Sequence, residues 1–147
     1  MARSTTKAAA DPTTAALHAA GYRVTPQRLV IHRTMVEMDR HVGAEELLDA
    51  VDKRLPNVSL PTVYSALGAL EDAGLVRRVP TSRGHTLYDS RASQHHHLVC
   101  RRCGAVEDLD AEVALGGALT SAAKHGFAAD GAEVVVHGLC ANCSREG

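Results

Sequence analysis

Tryptophan is absent from this 147-residue chain, phenylalanine occurs once and tyrosine three times. A core with so few large aromatics has to be built from Leu, Val and Ala. No run of 18 apolar residues occurs, which excludes a transmembrane helix. The opening MARSTTKAAADP lacks an apolar run of signal-peptide length, so the expected location is the cytoplasm, with no membrane partner. A charge surplus is missing too: sixteen Lys and Arg face seventeen Asp and Glu, which excludes a uniformly basic nucleic-acid coat. No cysteine precedes residue 100, yet four follow, beside nine His in the whole chain. In a reducing compartment that combination points to metal or redox work before disulfides.

The charge is unevenly divided. Residues 1–85 carry eleven basic against nine acidic side chains, and residues 86–147 carry five against eight. The basic surplus and the cysteines thus lie in different halves, which implies two units. In the first, Thr25-Pro26 reads as a cap followed by Pro at the first helical position, opening a helix that ends near Asp39. A second helix is expected over 44–54. A third is capped by Ser59, carries the stripe Val63, Leu67 and Leu70, and is stopped by Gly74. Strands over 75–79 and 85–89 around the turn Thr81-Ser82-Arg83-Gly84 complete the pattern of a winged helix. The second half reads as an αβ module, with strands over 98–100, 105–109 and 133–137 and a helix over 112–125. The expected class is therefore α+β, a winged helix-turn-helix domain followed by a small αβ domain. The Ala- and Thr-rich residues 1–16 read as a mobile arm.

With Val63, Leu67 and Leu70 facing inward, Pro61, Thr62, Tyr64, Ser65 and Gly68 fall on or near the exposed side of the third helix. Small and hydrogen-bonding side chains near a helix N-terminus suit entry into a major groove, and Arg28, Arg77, Arg78 and Arg83 are placed for phosphate contacts. The same features also fit a half-buried tyrosine among solvated arginines, since three-helix units also bind protein or nothing.

Cys100-Arg-Arg-Cys103-Gly and Cys140-Ala-Asn-Cys143 are two CxxC pairs with thirty-six residues between Cys103 and Cys140. Two such knuckles complete a closed tetrahedral S₄ set for structural zinc, with a thiol-redox pair or disulfides as the alternatives. Just before them lies His95-His96-His97, where strand alternation sends His95 and His97 to one face and His96 to the other. Asp89 at the wing's end and Asp108 after the first knuckle are carboxylates that hairpin geometry can bring alongside, and His41 is a fifth candidate. Mixed N and O donors favour Fe²⁺, Mn²⁺ or Zn²⁺. Singly, each also reads as a loop His, a hairpin-end Asp or a neighbour of a helix cap. An open zinc hydrolase site from His95, His97 and Asp108 is a further reading, but no HExxH or nucleophile motif accompanies it. His18, His32, His85, His125 and His137 read as surface or packing residues.

Taken in order, Gly21-Tyr-Arg-Val-Thr-Pro-Gln-Arg28, Pro61-Thr-Val-Tyr64 with Leu67, Ala73-Gly-Leu-Val76, His95-His-His97-Leu-Val-Cys100-x-x-Cys103-Gly104 and Gly138-Leu-Cys140-x-x-Cys143 resemble the ferric uptake regulator family. The resemblance runs from about residue 17 to residue 143. It implies a non-enzymatic, homodimeric, metal-activated repressor that binds a near-palindromic double-stranded DNA operator. The implied divisions are 17–89 for the winged-helix DNA-binding domain, 90–94 for a hinge, and 95–147 for the dimerisation and metal-binding domain. It further implies structural Zn²⁺ on Cys100, Cys103, Cys140 and Cys143, and a regulatory Fe²⁺ or Mn²⁺ site on His41, Asp89, His95, His97 and Asp108. DNA contacts are implied for Arg28, Pro61, Thr62, Tyr64, Ser65, Arg77 and Arg83. Asp at both 89 and 108 is similar to the peroxide-sensing branch, in which Fe²⁺ and H₂O₂ oxidise a ligand histidine, here His41 or His95. Iron- or zinc-responsive control of metal uptake is the alternative within the family. Gln94 and Ala132 stand where some members carry ligands of a further metal site, and Ser65 stands where Arg is common, so the resemblance leaves the operator sequence open.

Overall fold

A computed structural model describes residues 11–79, 81, 84–91 and 93–146. Among these residues, six helices and six strands follow in the order α1 (Pro12–Ala19), α2 (Pro26–Met38), β1 (Val42–Gly43), α3 (Ala44–Asp52), α4 (Leu60–Asp72), β2 (Arg77–Val79), β3 (Leu87–Asp89), β4 (His96–Cys100), β5 (Val106–Leu109), α5 (Gly116–Lys124), β6 (Val135–Gly138) and α6 (Ala141–Arg145).

Both predicted caps are made. The Thr25 side chain accepts from the Arg28 backbone N–H at the head of α2, and Ser59 accepts from Thr62 N–H at the head of α4. Each helix has Pro in its first turn, where the missing N–H leaves no bond unmade. After α4 the chain reverses at Gly74, whose φ of +74° only glycine adopts without strain. Val63, Leu67 and Leu70 are fully buried against Ile31, Met35, Leu47 and Val51 of α2 and α3. This aliphatic core, with Tyr88 from β3 at its edge, is the only buried apolar cluster among the described residues, and it lies wholly within residues 17–88.

The wing strands β2 and β3 pair antiparallel, and β1 joins on the far side to give the order β1-β3-β2. The short β1 was not foreseen. It pairs Val42 with Tyr88 and Gly43 with Leu87, and so fixes the preceding His41 beside the end of β3. In the second unit β5-β4-β6 form a mixed sheet, β4 antiparallel to β5 and parallel to β6. The parallel pair requires a crossover, which α5 supplies.

Two expectations differ from the structure. The stretch read as a mobile arm is helical from Pro12, because Ala-rich sequence favours helix and Leu17 anchors α1 with no exposed surface; residues 1–10 of that arm lie outside the described residues. The helix expected from residue 112 starts at Gly116, since adjacent Gly116 and Gly117 weaken helix and no side chain caps an earlier start. That helix buries none of its residues, and five of the seven exposed large hydrophobics (Val113, Leu119, Phe127, Val136 and Leu139) belong to the second unit. A single chain therefore leaves this unit's apolar surface largely unmatched.

Candidate metal centres and nucleic-acid face

The knuckles come together as their spacing requires. Gly104 takes φ +79°, which lets the Gly104 and Ala105 backbone fold back so that Gly104 N–H reaches the Cys100 carbonyl and Ala105 N–H reaches Cys103 Sγ at 3.4 Å. Cys103 Sγ lies 3.8 Å from Cys140 Sγ. A disulfide needs about 2.05 Å, whereas a tetrahedron of thiolates about 2.3 Å from zinc has edges of about 3.8 Å. The sulfurs of the four cysteines lie within 4.8 Å of one another. Backbone N–H groups of Cys103 and Cys140 pull the Cys100 thiol down to about 5, while a hydrogen bond with Cys140 and burial push the Cys143 thiol up to about 12, so a cation shared by the four sulfurs is what would favour the thiolate at each of them. The residues fit Zn²⁺ as a closed structural centre.

The second cluster spans the two units. One donor atom each from His41, Asp89, His95, His97 and Asp108 falls within 4.8 Å of all the others. His41 Nε2 is 3.4 Å from Asp89 Oδ2 and 3.1 Å from Asp108 Oδ1. His95 Nε2 stands 3.1 Å and 3.0 Å from the same two oxygens. Strand register brings in His97, directly opposite Asp108 on β5, with Nε2 3.9 Å from Asp108 Oδ1. These atoms converge without hydrogen-bond alignment: Asp89 Oδ2, His95 Nε2 and both His97 ring nitrogens are buried with no hydrogen bond. Each such atom costs about 1–3 kcal/mol if left unsatisfied. A divalent cation at the common point would satisfy several at once, so the donor set fits one.

The surroundings prepare the donors. His41 Nδ1 lies 3.1 Å from the Val106 carbonyl and His95 Nδ1 2.7 Å from the Ser93 carbonyl. A carbonyl only accepts, so Nδ1 carries a proton in both rings, and Nε2 is the nitrogen left to face a metal. Burial, and then the adjacent His95, lower the pKa of His97 and favour the neutral ring that metal binding needs. Burial pushes the Asp108 carboxyl up, but His95, His41 and Arg91 outweigh it and leave its pKa below the ordinary value. The carboxylates' outer oxygens are both taken by Arg91: its backbone N–H donates to Asp89 Oδ1 at 2.9 Å and its guanidinium to Asp108 Oδ2 at 3.0 Å. Sequence reasoning missed this residue, although its place two positions after Asp89 in the hinge was the available signal. His96 points elsewhere, its Nδ1 accepting from Val134 N–H at the entry to β6. The Gln94 amide rests on Gly131, where an added Cβ would meet it at 1.9 Å.

On the exposed side of α4, Pro61, Tyr64 and Ser65 face solvent, Tyr64 being 49% exposed. Arg28, Thr62 and Ser65 line one shallow recess between α2 and α4. Arg28 is steadied by donating to the Arg23 carbonyl and by lying over the Tyr22 ring. Two arginines expected at phosphate are engaged elsewhere. Arg77 turns to the second unit, pairing with Glu133 at 3.0 Å and donating to the Ser93 carbonyl, because its register opposite Asp89 aims it at the hinge. Arg78 pairs with Glu71 at 2.8 Å. Arg83 lies outside the described residues.

Residues 19–143 match the ferric uptake regulator family. The transcriptional regulator FurA of Mycobacterium tuberculosis (strain ATCC 25618 / H37Rv) is 41% identical over 129 residues, covering 87% of each chain. The peroxide-responsive repressor PerR of Staphylococcus epidermidis is 30% identical over 138 residues, covering 90% of this chain and 89% of that protein. Among solved structures, a zinc uptake regulator complexed with zinc and DNA superposes with a TM-score of 0.63 at 34% identity, over 91% of this chain and 96% of that one. The chain belongs to the ferric uptake regulator family of metal-responsive transcriptional regulators.

Proposed function

We propose that this protein is a homodimeric, DNA-binding repressor in which a divalent ion at the hinge cluster selects the DNA-competent arrangement, and that it senses peroxide through Fe²⁺ at that cluster. The observation that carries the reading is the convergence of five donors drawn from both sides of the hinge. An ion held by His41 and Asp89 on one unit and by His95, His97 and Asp108 on the other binds one relative placement of the units better than any alternative, and linkage shifts the population toward it. The Cys₄ centre holds structural Zn²⁺ and substitutes for the core that the second unit lacks. The unmatched apolar surface of that unit supports a C₂ dimer, which offers two α4 helices to a near-palindromic operator, with Arg28, Pro61, Thr62, Tyr64 and Ser65 at the DNA.

Three imidazoles and two aspartates favour Fe²⁺ or Mn²⁺ over a thiolate-preferring ion. Fe²⁺ held by these residues would supply redox activation of H₂O₂; overall, an imidazole C–H of His41 or His95 would lose two electrons to H₂O₂, giving a 2-oxo-imidazole and one water with no net change at iron. The protein's own part is to hold both rings by Nδ1 and to enclose them between the two units. A plain iron-responsive regulator is the second reading, favoured by the 42% identity over 123 residues to the ferric uptake regulation protein 1 of Mycolicibacterium fortuitum, against 30% to PerR.

The test uses a duplex selected from a random pool on Mn²⁺-loaded protein. Binding is expected with Mn²⁺ and absent after mild chelation that leaves the zinc in place. Equal binding by the chelated, zinc-containing protein would overturn the regulatory role of the cluster.

A further inference from the structure

Asp89 and Asp108 each have two oxygens, yet each offers one to the cluster, and both of the withheld oxygens are held by Arg91. The two contacts differ in kind. Asp89 Oδ1 is held by the backbone N–H, which every residue but proline retains, whereas Asp108 Oδ2 is held by the guanidinium, the side chain of a residue that is 61% exposed. The backbone of Asp108 is already fixed opposite His97 by β5, so the guanidinium restrains only the rotation of the carboxylate. Its Oδ1 is also the atom nearest to all three imidazoles, at 3.1 Å from His41, 3.0 Å from His95 and 3.9 Å from His97.

We infer that Arg91 is a positioning residue that confines Asp108 to single-oxygen donation and thereby restrains the affinity of the hinge cluster for divalent ions, an inference that rests on reading this cluster as a metal site. Two physical effects act in the same direction. The guanidinium occupies Oδ2, and a carboxylate freed from it can turn both oxygens inward, as oxygen-seeking ions prefer. Its positive charge also draws electron density from the carboxylate and opposes a nearby cation. Removing an outer partner ordinarily loosens a metal site by disordering the ligand. Here the sign reverses, since the strand keeps the ligand in place and the partner is itself a cation.

The experiment measures Mn²⁺ affinity of the full-length, zinc-containing protein by competition with a fluorescent chelator, together with the Mn²⁺ EPR spectrum. Arg91→Ala is expected to tighten Mn²⁺ binding roughly tenfold, at the low end of what outer partners contribute, and to change the EPR line shape. Arg91→Lys, which keeps a charge but loses the planar fork, is expected between the two. In an Asp108→Asn background the effect of Arg91→Ala is expected to vanish, because the residue acts through that carboxylate. Unchanged or weaker Mn²⁺ binding by Arg91→Ala, or the same gain with Asn at 108, would overturn the inference. Failure of the underlying reading looks different: the wild-type protein itself would take up no Mn²⁺ beyond its zinc.

Discussion

His41 and Asp108 lie 67 positions apart in sequence and on different units, yet His41 Nε2 stands 3.1 Å from Asp108 Oδ1. The His41 ring is also tied to the second unit through the Val106 carbonyl. Among the described residues, this imidazole is the one cluster donor that the chain contributes from ahead of the wing. With Asp89 at the end of β3, it is one of two donors through which an ion at the cluster would hold the DNA-binding unit.

Replacing His41 therefore separates metal response from folding. The residue lies outside the apolar core, at the mouth of β1. His41→Ala is expected to keep the helical signal and zinc content of the wild type, to weaken Mn²⁺ binding by at least about tenfold, and to lose metal-dependent DNA binding. Fluorescence anisotropy with and without Mn²⁺ reads the outcome, and retained metal dependence would show that the coupling runs elsewhere.

The Cys₄ centre carries a different load. Among the described residues of the second unit, Val99, Cys100, Cys143 and His97 alone are buried, too little for independent stability. Cys103→Ser is expected to abolish zinc retention, and with it a large share of the roughly 10–16 kcal/mol that such sites contribute to folding. The dimer should dissociate on size exclusion while the helical content of residues 12–72 survives. A dimeric, zinc-free protein would contradict the assignment.

Two neighbours on α4 should behave oppositely. Leu67 is fully buried, so Leu67→Ala is expected to destabilise the first unit by about 2–5 kcal/mol in denaturant titration. Tyr64 is 49% exposed, so Tyr64→Ala should leave stability within roughly 0.5 kcal/mol. At the DNA, the Tyr64 change should cost about 1–3 kcal/mol if the ring meets base edges.

Arg28 and Arg77 can be told apart by salt. Arg28→Ala, on the recess beside Thr62 and Ser65, is expected to lower the dependence of log K on log salt by about one phosphate contact. Arg77→Ala should leave that slope unchanged, because its guanidinium faces Glu133. Its half-exposed ion pair should contribute less than about 1 kcal/mol to stability.

Much of this arrangement was legible in the residues. Caps at Thr25 and Ser59, the stripe Val63, Leu67 and Leu70, and the stop at Gly74 are local signals, and local hydrogen bonding and periodicity realise them. The period of two in His95-His96-His97 correctly separated the two inward rings from His96. What escaped was set by tertiary pairing. A two-residue strand such as β1 has no periodicity of its own, and only its ladder with β3 defines it. The partners of Arg77 and Arg91 depend on how the units meet across the hinge, which no local pattern encodes. The helicity of Pro12–Ala19 was hidden by a low-complexity composition whose single anchor, Leu17, finds its place only in the assembled core.

The central claim is that Fe²⁺ at the hinge cluster makes DNA binding sensitive to peroxide. The direct measurement loads the zinc-containing protein with Fe²⁺ or Mn²⁺, adds low H₂O₂ without oxygen, and follows both DNA binding and the masses of the peptides holding His41 and His95. The account predicts release from DNA with a gain of one oxygen atom on one of those peptides in the Fe²⁺ form alone. Equal sensitivity of the Mn²⁺ form, or release with both histidines unmodified, would contradict it.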